Sequence, residues 1–481
     1  MERQVDIAII GCGSAGMRAY KQARKHTDSI AVIEADQYGT TCARVGCMPS
    51  KLMIAPAEAR HRLAVFEQFG LSAPSIEVDG PAVMKRVREE RDRFVGFVRE
   101  EAMGFDEKHR IMARATFVDD HTLSLSNGDT VTAQRIVICA GSRPAVPDLY
   151  KAAGDRLVTS NDIFYWQDLP ESVAVMGTGV IALELGQALH RLGVRVRVLG
   201  RSQSIGFLTD PALLAYAAKT FQAELPLSQR TTVTDLAQDD NGVTLNWLDA
   251  DGQPQQETFA LLLCAVGRQS NADTLGLANT SLALDKNGVP VHDPTTMQCR
   301  FGNGEGAHVF IAGDASDDRQ LLHEAADEGN IAGANAATYP RLNSFERKPL
   351  LAVMFTDPQI AVVGQSYREL HGKHTTFVTG AGDFEDQGRS RVMLVNKGLM
   401  HVYADPGSQR LLGAEMIGPS HEHLAHLLAW AIQMKLTVQE ALDMPYYHPV
   451  VEEGLRDALY DLRYNLNRYN AGQQQPAGVG G

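Results

Sequence analysis

Cysteine is scarce in this chain, which has six cysteines among 481 residues. Four of the six are scattered, so their spacing offers no framework of structural disulfides, and we expect small apolar residues in strands and turns. These four are Cys12, Cys139, Cys264 and Cys299. Only Cys42 and Cys47 form a local pair, within "GTTCARVGCMPSK".

Long apolar runs and an excess of positive charge are also missing. No uninterrupted apolar run reaches about 18 residues, so no transmembrane helix is expected. The net charge of −13 argues against a nucleic-acid partner, because binding to phosphates depends on Lys and Arg. The opening "MERQVDIAII" has the pattern of a strand and not that of a secretory signal. The expected location is the cytoplasm, where thiols stay reduced.

Two segments share one pattern: "VDIAIIGCGSAGMRAYKQARKHTDSIAVIEA" (residues 5–35) and "SVAVMGTGVIALELGQALHRLGVRVRVLGR" (residues 172–201). Each has an apolar β-branched run, a glycine turn, a helical periodicity and a second β run. Each therefore predicts a βαβ unit with parallel strands. We predict an α/β chain with two Rossmann-like dinucleotide-binding domains, followed from about residue 349 by an α+β region.

The first glycine turn carries the complete dinucleotide-binding pattern. Gly11, Gly13 and Gly16 form G-x-G-x-x-G after a strand and before a helix, where backbone and helix N-terminus favour a pyrophosphate. Glu34 ends the second strand, where its carboxylate can accept from ribose hydroxyls.

The second glycine turn departs from that pattern at its strand end. Gly177 and Gly179 match, and Ala182 takes the third position, which the pattern permits. Gly200 and Arg201 stand where an acidic residue would favour NAD, so Arg201 either pairs with the 2′-phosphate of NADP or is a solvated surface arginine. Two dinucleotide sites together predict a bound flavin that exchanges hydride with NAD or NADP.

The cysteine pair has three interpretations, of which redox chemistry is favoured. A zinc site needs four ligands, and no second Cys or His pair lies nearby. A structural disulfide is not expected in a reducing compartment. Five residues of helix rise about 7.5 Å, which exceeds the Cα separation of a disulfide, so we expect a backbone distortion that Gly46 permits. Lys51 follows Cys47 by one helical turn and places a cation near the pair.

The cysteine segment resembles the active-site motif of the class I pyridine nucleotide-disulfide oxidoreductases. Further similar stretches follow in the same order, from about residue 5 to 463: "CAGSRPAVP", "AVGRQSN", "VFIAGDASD", "LLHEAADEGNIAG", "FTDPQIAVVG" and "YHPVVEEGL". Within the family, the dihydrolipoamide dehydrogenase branch is the most similar, and the alternatives are an NADPH-linked reductase of another small disulfide and a soluble transhydrogenase. The resemblance implies one non-covalent FAD per subunit, NAD or NADP as co-substrate, a free or carrier-bound lipoamide substrate and a role in redox homeostasis. It also implies a homodimer and a 2-oxoacid dehydrogenase complex as an expected partner.

The resemblance implies domains at 1–150 (FAD and the cysteine pair), 151–275 (NAD(P)), 276–348 (completing the FAD domain) and 349–470 (dimerisation), with a flexible tail at 471–481. It also implies the site roles. Cys42 exchanges with the substrate, Cys47 is the thiolate facing the flavin, and Lys51 pairs with Glu184 near the flavin. The remaining implied FAD contacts are Gly141, Gly313 and Asp314, and the remaining NAD(P) contact is Gly267.

His448 matches the catalytic base of the family and Glu453 the carboxylate that orients it, both supplied by the other subunit. The residues support this independently, because a histidine suits proton transfer near neutral pH and a carboxylate fixes its tautomer. Pro449 suits a helix start, which predicts His448 at the helix edge and Glu453 just over one turn along.

Several positions depart from the family pattern. Phe207 stands where NADPH-linked glutathione reductase has a second arginine, Val180 where a tyrosine often covers the flavin, and Val450 where the "HPTxxE" pattern has threonine. The tail "NAGQQQPAGVGG" has no cysteine, which argues against mercuric reductase. His421, His423 and His426 lie on a predicted helix and, without a Cys or carboxylate framework, predict no metal site.

Overall fold

The computed structural model describes residues 2–72 and 76–472, and the chain forms two compact units. The first unit comprises Met1–Leu52, Lys85–Ala145 and Gly267–Arg347. The second comprises Met53–Met84, Val146–Val266 and Lys348–Gly481. The predicted tail lies outside the described residues from position 473 onward, and the predicted domain boundaries stay a prediction.

The strands are β1 (Glu2–Ile10), β2 (Ile30–Glu34), β3 (Arg110–Met112), β4 (Ala115–Phe117), β5 (Thr122–Leu125), β6 (Thr130–Ile138), β7 (Ser142–Pro144), β8 (Leu157–Val158), β9 (Ser172–Met176), β10 (Arg195–Leu199), β11 (Leu227–Ser228), β12 (Thr232–Asp239), β13 (Gly242–Leu248), β14 (Pro254–Phe259), β15 (Leu261–Cys264), β16 (Arg268–Ser270), β17 (Gln298–Arg300), β18 (Gly306–Ile311), β19 (Leu351–Met354), β20 (Gln359–Gly364), β21 (Val378–Asp383), β22 (Leu399–Ala404) and β23 (Leu411–Gly418). The helices are α1 (Ser14–Ala23), α2 (Thr41–Val45), α3 (Cys47–His61), α4 (Gly80–Met103), α5 (Ser160–Ile163), α6 (Val180–Arg191), α7 (Pro211–Gln222), α8 (Leu322–Thr338), α9 (Tyr367–Gly372), α10 (Gly388–Val392), α11 (His421–Gln433), α12 (Val438–Leu442) and α13 (Glu453–Asn470).

The first unit is built on an eight-stranded sheet with the order β17-β18-β6-β1-β2-β3, which β5 and β4 extend from β6. The strands β18, β6, β1, β2 and β3 run parallel. Because successive side chains of a strand point to opposite faces, Ile7 and Ile9 join the core beside α1 and α8, whereas Ala8 and Ile10 join the core on the other face. Both faces are covered, which explains why the carboxyl-terminal ends of β1 and β6 are uniformly apolar.

The second unit contains a parallel sheet with the order β11-β10-β9-β15-β8, an antiparallel β12-β13-β14 sheet and a C-terminal antiparallel sheet with the order β19-β20-β23-β22-β21. The helices α11 and α13 pack on the C-terminal sheet through Leu424, Leu428 and Leu459. Both predicted βαβ units are present, since β1 pairs with β2 and β9 with β10 in parallel register. The α/β fold class is confirmed.

Candidate active site

The carboxyl ends of β1, β6 and β18 form one edge of the first unit's sheet. Ile10, Ile138 and Ile311 are neighbours in register at this edge. The first glycine turn follows β1, the segment with Gly141 follows β6, and the predicted Gly-Asp motif follows β18. Ligands of α/β sheets bind beyond the carboxyl ends of the strands, so this edge gathers three predicted FAD segments.

The first glycine turn combines close packing with one open position. A Cβ atom on Gly11, whose φ is +101°, would lie 2.3 Å from the carbonyl oxygen of Cys139, and one on Gly16 would lie 1.9 Å from that of Gly11. A Cβ on Gly13 would meet nothing within 4 Å. The turn thus leaves space at the N-terminus of α1, where backbone N–H groups can approach a pyrophosphate. These residues fit FAD.

Glu34 is fixed at the end of β2 by the glycine turn itself. Its Oε2 accepts from the Cys12 N–H at 2.8 Å and its Oε1 from the Asp36 N–H at 3.2 Å. A carboxylate oxygen has more than one lone pair, so both oxygens keep capacity to accept from ribose hydroxyls.

The Gly-Asp motif lies in a single 3₁₀ turn, Gly313–Ser316. The Ser142 hydroxyl donates to Asp314 Oδ2 at 2.6 Å, and the Gly313 N–H donates to Glu328 Oε2 at 2.8 Å. Gly141 precedes Ser142, and a Cβ on it would enter open space. The turn therefore holds a carboxylate at the same edge as the first glycine turn.

Glu328 is fully buried and also binds Arg347. Burial raises the pKa of Glu328 to about 7, although the Gly313 N–H and the Arg347 guanidinium favour its charged form. Sequence reasoning missed Glu328 and Ser142. They lie in "LLHEAADEGNIAG" and "CAGSRPAVP", but nothing in their spacing or residue type indicates a functional role.

Cys42 lies in α2, and Cys47 begins α3. The break falls at Gly46, as the spacing predicts, and a Cβ there would lie 2.9 Å from the Thr41 carbonyl oxygen. Both cysteines are thiols, and a hydrogen bond with Cys47, followed by burial, raises the pKa of Cys42. In the reduced pair, Cys42 therefore retains its proton more strongly than a free thiol does.

Lys51 and Glu184 occupy separate units, and their predicted pairing stays a prediction. Lys51 lies one turn after Cys47 on α3. Glu184 is buried on α6, where its Oε1 accepts from the Phe355 N–H at 2.8 Å.

The second glycine turn repeats the construction of the first. It follows β9, whose last residue Met176 is in register with the ends of β10 and β15. A Cβ on Gly177, with φ +114°, would lie 2.5 Å from the Ala265 carbonyl oxygen, whereas one on Gly179 would meet nothing within 4 Å. Ala182 is fully buried, and Gly267 follows β15 with open space beside it. The residues fit a second dinucleotide.

The end of β10 is shaped by Thr178. A Cβ on Gly200 would lie 2.5 Å from Thr178 Cγ2, so this side chain occupies the space that an acidic residue would need. The Arg230 N–H donates to the Ser202 carbonyl oxygen at 3.3 Å, which places a second arginine beside Arg201. Within the described part of the chain, neither arginine has an ion-pair partner, and both are exposed.

His448 and Glu453 are joined as predicted. His448 Nδ1 lies 3.0 Å from Glu453 Oε2, and its side chain is 80% exposed, which leaves Nε2 accessible. Burial raises the pKa of Glu453, but the hydrogen bonds from His448 and the Val450 N–H, with the charge of Arg456, outweigh this and hold the pKa below its ordinary value. The predicted helix start at Pro449 is wrong. The helix α13 begins at Glu453, because the Glu453 carboxylate binds the turn before it.

Arg268 is a further residue that the sequence did not single out. It follows Gly267 at the start of β16, and its side chain is 14% exposed. Its Nε donates to Ser142 Oγ at 2.8 Å and lies 3.9 Å from Asp314 Oδ2. The signal that could have found it is an arginine within an otherwise uncharged motif, "AVGRQSN".

The three C-terminal histidines do not converge. His421 is fully buried with Nδ1 against the Pro419 carbonyl oxygen, whereas His423 and His426 are exposed. Among residues 2–72 and 76–472, one group has metal-ligand spacing, formed by Asp28, Asp106 and His109. Lys108 forms ion pairs with Asp28 and Asp106, and both of these carboxylates are exposed.

Two family models cover most of the chain. Residues 5–329 match "Pyridine nucleotide-disulphide oxidoreductase", and residues 351–459 match the dimerisation domain of the same name.

The chain belongs to the pyridine nucleotide-disulfide oxidoreductase family.

Members of this family depend on FAD and use NAD(P), and the two glycine turns described above fit these cofactors. The chain is 28% identical over 469 residues to dihydrolipoyl dehydrogenase 2 of Haloarcula marismortui, covering 94% of this chain and 95% of the relative. It is 30% identical over 464 residues to the mercuric reductase of Shigella flexneri, covering 94% of this chain and 79% of the relative.

Solved structures with the same fold include the HOCl-induced flavoprotein disulfide reductase RclA from Escherichia coli in complex with Cu(II), with a TM-score of 0.78 and 20% identity over 95% of this chain and 99% of that one. LpdA from Mycobacterium tuberculosis has a TM-score of 0.78 and 21% identity over the same shares. No helix among the described residues has the length and apolar character needed to cross a bilayer.

Proposed function

We propose that this oxidoreductase oxidises dihydrolipoamide through the Cys42–Cys47 pair and FAD, with NAD(P)⁺ as the final acceptor. The observation that carries the proposal is the unequal cysteine pair, in which the hydrogen bond with Cys47 raises the pKa of Cys42 and leaves Cys47 as the proposed thiolate. When bound, FAD supplies a carrier that accepts two electrons from thiols and releases them as hydride.

The thiol chemistry can be written with the residues of this chain. One substrate thiolate attacks Cys42 Sγ of the oxidised pair, forms a mixed disulfide and releases Cys47 as a thiolate. His448 takes the proton of that substrate thiol on Nε2, because Nδ1 is engaged by Glu453. The second substrate thiol then displaces Cys42, which takes the proton of that thiol and leaves as a thiol, and the cyclic disulfide is released. The substrate loses two electrons and two protons, and the cysteine pair gains two electrons.

The proposal includes a homodimer in which each subunit's His448 acts at the cysteine pair of the other. Two observations support it. His448 is exposed although it is oriented by a carboxylate that is only 12% exposed. On α11 and just after it, Leu427, Trp430 and Met434 are 40%, 65% and 71% exposed at spacings of three and four residues, so they share one helix face. The dimerisation-domain match covers this segment.

A second candidate is an NADPH-linked reductase of a small disulfide, which the end of β10 favours. Gly200 removes the carboxylate that would repel a 2′-phosphate, and Arg201 with Arg230 offers two unengaged guanidinium groups. A preference for NADPH would favour the reductive direction, in which NADPH donates the electrons that reduce a disulfide.

A steady-state assay separates the candidates. In the oxidative direction, kcat/KM is measured for dihydrolipoamide with NAD⁺ and with NADP⁺. In the reductive direction, it is measured for lipoamide, glutathione disulfide and mercuric ion, each with NADH and with NADPH. Turnover of the lipoamide couple above the others supports the first candidate, and NADPH-dependent reduction of glutathione disulfide without lipoamide turnover supports the second. Turnover of mercuric ion alone would contradict both.

A further inference from the structure

The strands β7 and β16 pair antiparallel as a two-stranded ribbon, with Ser142 opposite Ser270. Both serines contact the Gly313–Ser316 turn. The Ser142 hydroxyl donates to Asp314 Oδ2 at 2.6 Å, and the Ser270 hydroxyl donates to the Ala315 carbonyl oxygen at 2.7 Å. The ribbon therefore holds the turn through one side-chain and one main-chain contact.

Arg268 sets the direction of these hydrogen bonds. Its Nε donates to Ser142 Oγ at 2.8 Å and its Nη2 to the Ser142 carbonyl oxygen at 2.7 Å. A guanidinium only donates, so the Ser142 hydroxyl hydrogen is directed to Asp314 Oδ2. Within the described residues Asp314 Oδ1 has no donor, and it is the oxygen left for a ligand hydroxyl.

We propose that Arg268 is a positioning residue for FAD, which acts through Ser142 to fix the Asp314 carboxylate that receives the ribitol. This inference rests on the proposed function and on the FAD contact that the family resemblance implies for Asp314. Arg268 also lies in the field of the redox pair. Burial lowers the pKa of the Arg268 guanidinium, and Asp314 and Cys47 oppose this shift. The positive charge of Arg268 therefore favours the Cys47 thiolate.

Three variants separate the hydrogen bond from the charge: Ser142→Ala, Arg268→Lys and Arg268→Gln. The dissociation constant of FAD is measured on the apoprotein by flavin fluorescence, and the pH midpoint of the long-wavelength thiolate–flavin absorbance is measured after two-electron reduction. We expect all three to weaken FAD binding about tenfold. Arg268→Gln alone raises the pH midpoint, because Arg268→Lys keeps the charge and Ser142→Ala leaves the arginine in place.

Arg143→Gln is the matched control, because this neighbouring arginine of β7 pairs with Asp273 and is 38% exposed. It should leave both readouts unchanged. The Ser142→Ala/Arg268→Gln double variant should bind FAD no more weakly than Arg268→Gln. If the loss of FAD affinity in the double variant is the product of the losses in the two single variants, the proposal is overturned. Wild-type FAD affinity in both Ser142→Ala and Arg268→Lys would also overturn it. If Arg268→Gln does not fold, the FAD affinities of Ser142→Ala and Arg268→Lys still test the proposal. A failed disulfide assay with this affinity pattern intact would refute the proposed function alone.

Discussion

Cys42 and Cys47 are proposed to differ in protonation when the pair is reduced, with the proton on Cys42. Because Cys47 is the proposed thiolate, Cys47→Ser should lose the long-wavelength absorbance that a thiolate gives beside oxidised flavin. Cys42→Ser should keep that absorbance even without reduction, since it leaves Cys47 as a lone thiolate. Absorbance spectra of the two purified variants test this. The reverse pattern would exchange the assigned roles of the two cysteines.

His421 makes stability depend on pH. Burial against Phe384 lowers the pKa of His421 from 6.5 to about 4. The unfolded chain thus binds a proton between pH 6.5 and 4 that the folded chain excludes, and stability falls as the pH decreases through this interval. The loss amounts to about 3 kcal/mol at most.

His421→Phe should remove this dependence, because phenylalanine keeps the ring packing but does not titrate. At pH 7 we expect it to cost about 1 kcal/mol, since it loses the hydrogen bond to Pro419. Urea unfolding at a series of pH values measures both effects, with the exposed His423→Phe as control. An unchanged slope in His421→Phe would show that other groups cause the acid sensitivity.

At the scale of elements, the loop after β10 is expected to select the coenzyme. Arg201→Gln should lower kcat/KM for NADPH about tenfold and leave that for NADH nearly unchanged, because only NADPH has the 2′-phosphate. Arg230→Gln should act in the same direction. Arg368→Gln, which removes an exposed arginine of the C-terminal region, is the control. An equal loss with both coenzymes would place Arg201 at the shared pyrophosphate.

Gly200→Glu alone should not create a preference for NADH, because the new side chain would meet Thr178. The double variant Thr178→Gly/Gly200→Glu makes room and should raise the NADH/NADPH ratio of kcat/KM above that of Arg201→Gln. If the single variant changes the ratio as much as the double, Thr178 is not the obstacle.

For the whole molecule, subunit complementation tests whether His448 acts across a dimer. Cys42→Ser and His448→Gln are each expected to be inactive. Mixed dimers, formed by co-expression with two affinity tags, would contain one site with both defects and one intact site. They should therefore recover about half of the wild-type turnover per dimer if the site is shared. Mixed dimers without activity would place both residues of a site in one chain.

Sequence reasoning succeeded where the signal is local. The glycine turns, the two βαβ units and the break at Gly46 each depend on a short stretch, and the structure places them as predicted. The predicted start of α13 at Pro449 was wrong because proline propensity was weighed without the Glu453 carboxylate, which accepts from the Val450 N–H.

Contacts between distant segments were beyond sequence reasoning. Ser142 and Asp314 are 172 positions apart, and Ser142 and Arg268 are 126 apart, so their network exists only after the sheet has formed. In the sequence Glu328 is an ordinary acidic residue of a helix, and only the structure shows that it accepts hydrogen bonds from the Gly313 N–H and from Arg347.

The ribbon of β7 and β16 has a consequence for protein engineering. The Ala145 N–H donates to the Gly267 carbonyl oxygen at 3.0 Å, so the chain leaves at 146 and returns at 266 through adjacent positions. Every strand of the eight-stranded sheet comes from outside 146–266. Residues 146–266, which carry the second glycine turn, are therefore an insertion between the two strands of a hairpin. A short turn should replace it, or a homologous module be exchanged for it, without changing any strand neighbour of that sheet.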